Sequence, residues 1–188
     1  MKRKHKIVLL DLGGVVFEST GISNDLIHWE VVTELNYKYG YQMSAGEDLF
    51  ETFLIEYNQK ANQQLSGPAF LEAIFDTLQF NRELVDLIRK DYPIYIVSDN
   101  YRENIAYISQ RFHFSDWAEK QFYSYDFGLL KTDKEFFKLL LDQLEESPEE
   151  LLFIDDSKSK IDNAAEYGIQ GIQFQNNAQV ASALELLR

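Results

Sequence analysis

The stretch "KIVLLDLGGVVF", residues 6–17, decides how the chain is read. Ile7 to Leu10 form an apolar run of strand length without polar alternation, which is how a strand buried on both faces of a parallel sheet reads. The run stops abruptly at Asp11, and Gly13 and Gly14 leave the next turn almost bare of side chains. One account is an ordinary tight turn between strand and helix. The other is a site, with a carboxylate carried out of the core on a strand end and backbone N–H groups around Gly13 and Gly14 available to an anion.

Two further runs of the same kind favour the site. "IYIV" (94–97) is followed by Ser98 and Asp99, and "LLFI" (151–154) by Asp155 and Asp156. In open α/β sheets ligands bind at the carboxyl ends of the strands, so polar residues after three buried runs point to one shared site rather than to unrelated turns. Helical segments separate the runs. "NRELVDLIRKDY" begins at Asn81, an N-cap residue, and "TDKEFFKLLLDQL" opens with Thr132 and Glu135 in capping-box spacing. Ser147 and Pro148 start another segment, and "SKIDNAAEYG" ends at Gly168. "QFYSY" (121–125) and "GIQF" (171–174) are weaker strand candidates. The pattern predicts an α/β fold with a doubly wound parallel sheet.

The region 18–80 shows no convincing strand and is too long for an ordinary connection. It predicts helices over 24–38, 45–59 and 68–79, with Ser44 and Glu47 capping the second and Pro68 starting the third. This divides the chain into an α/β core, 1–17 and 81–188, and a helical cap, 18–80, set over the carboxyl end of the sheet as a lid. Trp29, Tyr37, Tyr39 and Tyr41 are expected to pack inside that cap rather than line a pocket.

Composition narrows the function classes. Of 188 residues, 45% are hydrophobic and 14% aromatic, enough for a core, and the net charge of −13 disfavours nucleic acid. The basic cluster Lys2, Arg3, Lys4 and Lys6 reads as a solvated flank. There is no cysteine, which excludes disulfides and thiolate metal sites. The apolar run before Asp11 is too short for a signal core or a membrane span, so no membrane partner and a cytoplasmic setting are expected. His5, His28 and His113 lack metal-ligand spacing. The sequence does not distinguish a monomer from a homodimer.

In chain order the polar elements are Asp11, Ser98, Lys131 and the pair Asp155–Asp156. Three converging carboxylates repel one another unless a cation neutralises them, and a hard ion such as Mg²⁺ prefers oxygen ligands. A hydroxyl and a lysine beside it supply donors for an anion with several oxygens. Metal, donors and an exposed carboxylate together describe phosphoryl transfer with the carboxylate as nucleophile.

These residues resemble the haloacid dehalogenase (HAD) superfamily of phosphohydrolases. Its Asp-x-Asp-Gly-Val motif is similar to Asp11-Leu12-Gly13-Gly14-Val15, and its strand ending in Ser or Thr to "IYIVSDN" with Ser98. Its lysine motif is similar to "GLLKTDKEFF" with Lys131, and its acidic pair before a helix to "LLFIDDSKSKIDNAAEYGI". A helical cap after the first motif is also shared, and the likeness spans about residues 6–175. The resemblance implies that Asp11 forms an aspartyl-phosphate and binds Mg²⁺ with the Gly13 carbonyl and Asp156, Asp155 standing behind. It implies that Ser98 and Lys131 hold the phosphate of a small phosphorylated metabolite, with the backbone at Asp99 and Gly14 contributing.

The chain departs from that pattern at Gly13, where phosphatases of the superfamily usually carry a second Asp that protonates the leaving group and then activates water. Lys160 stands where Asn is common, and Asp99 where Asn is frequent. Lys158 and Lys160 are expected on a solvated face, Lys160 being close enough in sequence to pair with the acidic cluster. Gly13 keeps a second reading open: a non-catalytic relative that binds a phosphorylated ligand or a protein. A receiver-type signalling domain fits poorly because its acidic pair ends the first strand, and a true dehalogenase would not need Asp155–Asp156.

Overall fold

Strand β1 (Ile7–Leu10) lies at the centre of a parallel sheet in a computed structural model that describes residues 7–21 and 24–187. Lys2, Arg3, Lys4, His5 and Lys6 lie outside the described residues. After β1 the chain makes β2 (Phe17–Ser19), three helices α1 (Trp29–Ser44), α2 (Phe50–Ala61) and α3 (Gly67–Phe75), and β3 (Leu78–Phe80). It continues through α4 (Arg82–Arg89), β4 (Ile94–Ser98), α5 (Arg102–Arg111), β5 (Lys120–Tyr123), α6 (Ser124–Phe127) and α7 (Phe136–Leu141). It closes with β6 (Leu151–Asp155), α8 (Lys158–Glu166), β7 (Gln170–Gln173) and α9 (Asn177–Leu186).

The sheet runs β5-β4-β1-β6-β7, with every pairing parallel. All residues of β1, β4 and β6 are buried, because helices cover both faces. The period of two shows in the packing: Val8 and Leu10 join one apolar cluster, Ile7 and Leu9 the other. The first cluster takes in α4 and α5 together with the inserted helices, through Val32, Leu35, Phe53 and Phe70. The second packs Phe136, Phe137 and Leu140 of α7 against Phe153. The insertion therefore shares a continuous apolar core with one face of the sheet.

Several local expectations are met. Asn81 caps α4 by accepting the Leu84 amide at 3.2 Å. Gly168 follows α8 with φ +83°. Ser147 and Glu150 form a capping box, although it encloses only the single 3-10 turn Pro148–Glu150.

Others are corrected. Residues 18–80 do contain strand: β2 and β3 pair antiparallel, Phe17 opposite Phe80, and hold the ends of the insertion together. Three residues are too few to show alternation, and it is the aromatic packing of Phe17 against Phe80 and Phe112, at 5.6 and 4.9 Å, that fixes the ribbon. The first inserted helix starts at Trp29 and runs on to Ser44, so Ser44 ends α1 instead of capping α2. The stop comes from Gly46 at φ +99°, whose amide returns to the Met43 carbonyl at 3.0 Å. A Cβ there would lie 2.8 Å from the Tyr125 carbonyl oxygen, so the tip of the insertion meets the core at a point that only glycine fits. The third inserted helix ends at Phe75, short of the expected 79, because β3 begins at Leu78.

Thr132 does not cap α7. The Asp133 carboxylate accepts the Leu130 amide at 2.7 Å, a local turn that competes with the helix and delays its start to Phe136. Ser124 and Tyr125 leave the β5 strand for the turn of α6, where the Ser124 hydroxyl accepts the Asn100 amide at 3.1 Å.

Candidate active site

Leu10 pairs with Ile96 on one side and Ile154 on the other. Asp11 follows Leu10, so the register sets it level with Val97 and Asp155, and Ser98 comes one residue further out. The Asp11 amide donates to the Ile154 carbonyl at 3.0 Å, which extends the ladder one step past the strand. Parallel pairing thus delivers Asp11, Ser98 and the Asp155–Asp156 pair to the same end of the sheet.

Lys131 is fully buried and ties these strand ends together. Its Nζ lies 2.7 Å from Asp11 Oδ1 and 2.6 Å from Asp155 Oδ2, and donates to the Val97 carbonyl at 3.1 Å. All three ammonium hydrogens have acceptors. Asp155 is completely used, since its Oδ1 accepts the Ser157 amide at 2.8 Å. Asp11 Oδ1 also accepts the Leu12 amide at 2.8 Å, while Oδ2 faces Lys160 at 3.9 Å.

Burial pushes the Asp11 carboxyl up to about 7; Lys131 and Lys160 pull against the rise and Asp155 adds to it. Asp155 goes the other way: burial opposes its ionisation, but Lys131 and Lys160 outweigh that and hold it below the usual carboxylate range. Of the buried pair, Asp155 is the settled anion and Asp11 the one whose ionisation burial holds back.

Carboxylate oxygens of Asp11, Asp155 and Asp156 lie within 4.8 Å of one another. Asp156 is exposed, beside the glycine turn. Gly14 has φ +73°, and a Cβ on it would come 2.5 Å from Asp156 Oδ2, so the turn leaves room for that carboxylate. The Gly14 amide itself is engaged with the Phe17 carbonyl at 3.0 Å. The Val16 and Phe17 amides both turn back to the Leu12 carbonyl, at 2.9 and 2.8 Å.

Asp99 does not face outward. Its Oδ1 accepts the Lys131 amide at 2.8 Å and its Oδ2 pairs with Lys160 at 3.1 Å. It therefore holds both lysines in place. Lys160, whose side chain is 19% exposed, is not on a solvated face. Burial works against its charge, yet Asp11, Asp99 and Asp155 hold its ammonium above the ordinary lysine range. Lys158 does lie in solvent, paired with Asp162.

The sequence reading missed Asn163. Its buried Nδ2 donates to the Lys131 carbonyl at 2.7 Å and the Asp133 carbonyl at 2.9 Å, pinning the lysine loop to α8. Tyr41 reaches the same loop from α1, its hydroxyl 3.2 Å from Asp133 Oδ2. The aromatic residues of α1 do not pack as a group inside the insertion. Tyr37 is 92% exposed and Tyr41 54%, while Trp29 lines a cavity beside Gly13 and Gly14. Tyr39 alone follows expectation, with its ring 6.4 Å from Phe53.

The match to known proteins follows this geometry. Residues 5–168 match the family described as haloacid dehalogenase-like hydrolase. The chain belongs to the haloacid dehalogenase-like hydrolase family. It is therefore a hydrolase with the HAD fold, as the four motifs implied. A D-ribitol-5-phosphate phosphatase of Bacteroides thetaiotaomicron is 26% identical over 106 residues, covering 53% of this chain and 52% of that one. The chain's match thus spans about half the length of this curated relative. A HAD family enzyme of Bacteroides thetaiotaomicron superposes with a TM-score of 0.75 at 21% identity, over 92% of this chain and 95% of the other. A second structure of that enzyme, in complex with magnesium and inorganic phosphate, gives 0.71 at 21% identity, over 91% and 94%. At such identities the likeness is one of fold.

Proposed function

We propose that this HAD hydrolase is a Mg²⁺-dependent phosphohydrolase of small phosphorylated metabolites that acts through an aspartyl-phosphate on Asp11. The observation that carries the reading is the position of Asp11: buried, at the open end of the central strand, between Lys131 and the Asp155–Asp156 pair. The phosphatase named among the relatives, and the fold neighbour in complex with magnesium and phosphate, support the same reading.

The donor set suits a hard cation. Asp11 and Asp155 share one fully buried lysine, the Asp156 carboxylate lies close to both, and burial raises the Asp11 carboxyl, which a bound cation would offset. Asp11, Asp156 and the carbonyl of Gly13 would hold the ion, with Asp155 behind them fixing Lys131. Bound there, Mg²⁺ supplies charge neutralisation for a phosphoryl group.

The chain's own residues do the rest. The carboxylate of Asp11 attacks phosphorus, and the ester oxygen leaves with the bonding electrons. Ser98 and Lys131 hold the phosphoryl oxygens, Lys131 by turning the hydrogen it gives Asp11 onto the phosphoryl group that Asp11 takes up. Asp99 acts through Lys131 and Lys160 rather than by touching the anion. Water then attacks the aspartyl-phosphate, releasing inorganic phosphate and restoring Asp11. Residues 18–80 serve as a cap over this end of the sheet, and the core comprises the remainder. No nucleic-acid or membrane partner is part of this proposal: the net charge is −13, and among the described residues no helix is long and apolar enough to cross a membrane.

Gly13 favours a second reading, a relative that binds phosphorylated ligands without turnover. A screen of phosphorylated metabolites with and without Mg²⁺ separates the two. Phosphate release that requires Mg²⁺ is expected. Calorimetry of Asp156→Ala should show Mg²⁺ binding lost; unchanged affinity would remove Asp156 from the ligand set.

A further inference from the structure

Lys160 enters the site from the first turn of α8. Its Nζ lies 3.1 Å from Asp99 Oδ2. Asp99 is held in turn through its other oxygen, which accepts the Lys131 amide at 2.8 Å. A flexible lysine stem thereby gains a fixed end and stays beside Asp11. Lys158, two residues earlier on the same helix, turns away to Asp162 in solvent.

The two ammonium groups of the site differ in what they have left to give. Lys131 is fully buried, and its three hydrogens go to Asp11, Asp155 and the Val97 carbonyl, so it meets a phosphoryl oxygen only by leaving Asp11. Lys160 is partly exposed. Its Nζ stands 3.9 Å from Asp11 Oδ2, beyond hydrogen-bond reach, so it acts on that oxygen by charge across a gap. The other oxygen, Oδ1, already accepts from Lys131 and from the Leu12 amide. Oδ2 is therefore the oxygen that Asp11 has to offer, to a cation or to phosphorus, and Lys160 faces it.

We propose that Lys160 is a built-in cation of this site, which competes with Mg²⁺ for Asp11 and adds its own hydrogen bond to a bound phosphoryl group. This rests on the phosphohydrolase reading of the same site. A fixed positive charge acts with opposite sign on the two ligands: it repels a divalent cation and attracts a phosphate. Unit charges about 4 Å apart are worth roughly fivefold in affinity in water, and more where water is partly excluded. Asp99 offsets part of the Lys160 charge, which leaves an expected effect of about tenfold on each ligand. Phosphate, once bound, takes up that charge and lifts the repulsion of the metal. Mg²⁺ and phosphate should therefore favour each other more in the natural chain than in one without this ammonium.

The test is calorimetry on the full chain, with Mg²⁺ alone and with inorganic phosphate alone in chelator, for the natural protein, Lys160→Gln and Lys160→Arg. Glutamine keeps an N–H donor for Asp99 and removes the charge, whereas arginine keeps the charge. In Lys160→Gln, Mg²⁺ should bind about tenfold more tightly and phosphate about tenfold more weakly. Lys160→Arg should stay close to the natural protein in both. Thermal melting checks folding, and Lys160→Met, which keeps the stem, should give the same two shifts if Lys160→Gln does not fold. A lysine that only braced Asp99 would lower both affinities when replaced, so opposite shifts separate charge from structure. Shifts of one sign, or none, would overturn the inference. If the natural protein shows no Mg²⁺ binding, its appearance in Lys160→Gln supports the inference, and its absence there as well refutes it. Failure to hydrolyse any phosphate ester with Mg²⁺ would sink the phosphohydrolase reading alone, because the binding shifts are measured without substrate and decide the role of Lys160 by themselves.

Discussion

Gly13→Asp is expected to raise turnover on a primary alkyl phosphate by about 10²–10⁴-fold, the usual worth of general acid catalysis. The site can accept the change. Gly13 is not in the left-handed region, and a Cβ built on it meets nothing within 4 Å. Its neighbour is the opposite case: Gly14 combines φ +73° with a contact of 2.5 Å to Asp156. A carboxyl at position 13 would protonate a departing alkoxide and then serve as base for the water that attacks the aspartyl-phosphate. Aryl phosphates, whose leaving groups are already weak bases, should gain mainly in that second step. The measurement compares p-nitrophenyl phosphate with a primary alkyl phosphate in both forms of the protein. Equal hydrolysis of the two by the natural chain, unchanged by Gly13→Asp, would mean that another residue carries the proton.

Lys131→Met should destabilise the metal-free protein by about 3–5 kcal/mol, the cost of leaving a buried charge without its partner. The substitution keeps apolar length against Phe153 but removes the ammonium that separates Asp11 from Asp155. The loss depends on pH. Burial raises the folded Asp11 carboxyl to about 7, above its value in the unfolded chain. A group raised in this way favours the fold below the ordinary carboxylate range, and its contribution disappears as pH rises through the folded value. In Lys131→Met the lysine no longer holds that value down. The deficit relative to the natural chain should therefore be larger at pH 8 than at pH 5, as measured by urea unfolding in chelator. A deficit independent of pH would show that Asp11 is not the strained partner.

Much of this site was legible because a parallel sheet converts sequence order into position. Once "IVLL", "IYIV" and "LLFI" were read as buried strands, Asp11, Ser98 and Asp155 had to emerge at one end. Lys131 was read into the site by its charge and its place in the chain order, and the resemblance gave it a motif, because it sits in a loop with no periodic signal. Asn163 was not legible at all. It is one polar residue in the helix "KSKIDNAAE", and its role exists only because α8 packs beside the lysine loop. The role of Lys160 was hidden similarly, since Lys158 and Lys160 look alike until one helix face is buried. The short ribbon of β2 and β3 escaped because its pairing spans the whole insertion.

The central claim is that Asp11 accepts the phosphoryl group. With no base at position 13 to activate water, the aspartyl-phosphate should persist long enough to be caught. The direct measurement is intact-mass and peptide-mass spectrometry of the natural protein, quenched in acid within its first turnovers on p-nitrophenyl phosphate with Mg²⁺. One phosphoryl group per chain is expected, located on Asp11, and none in Asp11→Asn. Steady release of p-nitrophenol with no label on Asp11 would contradict the account.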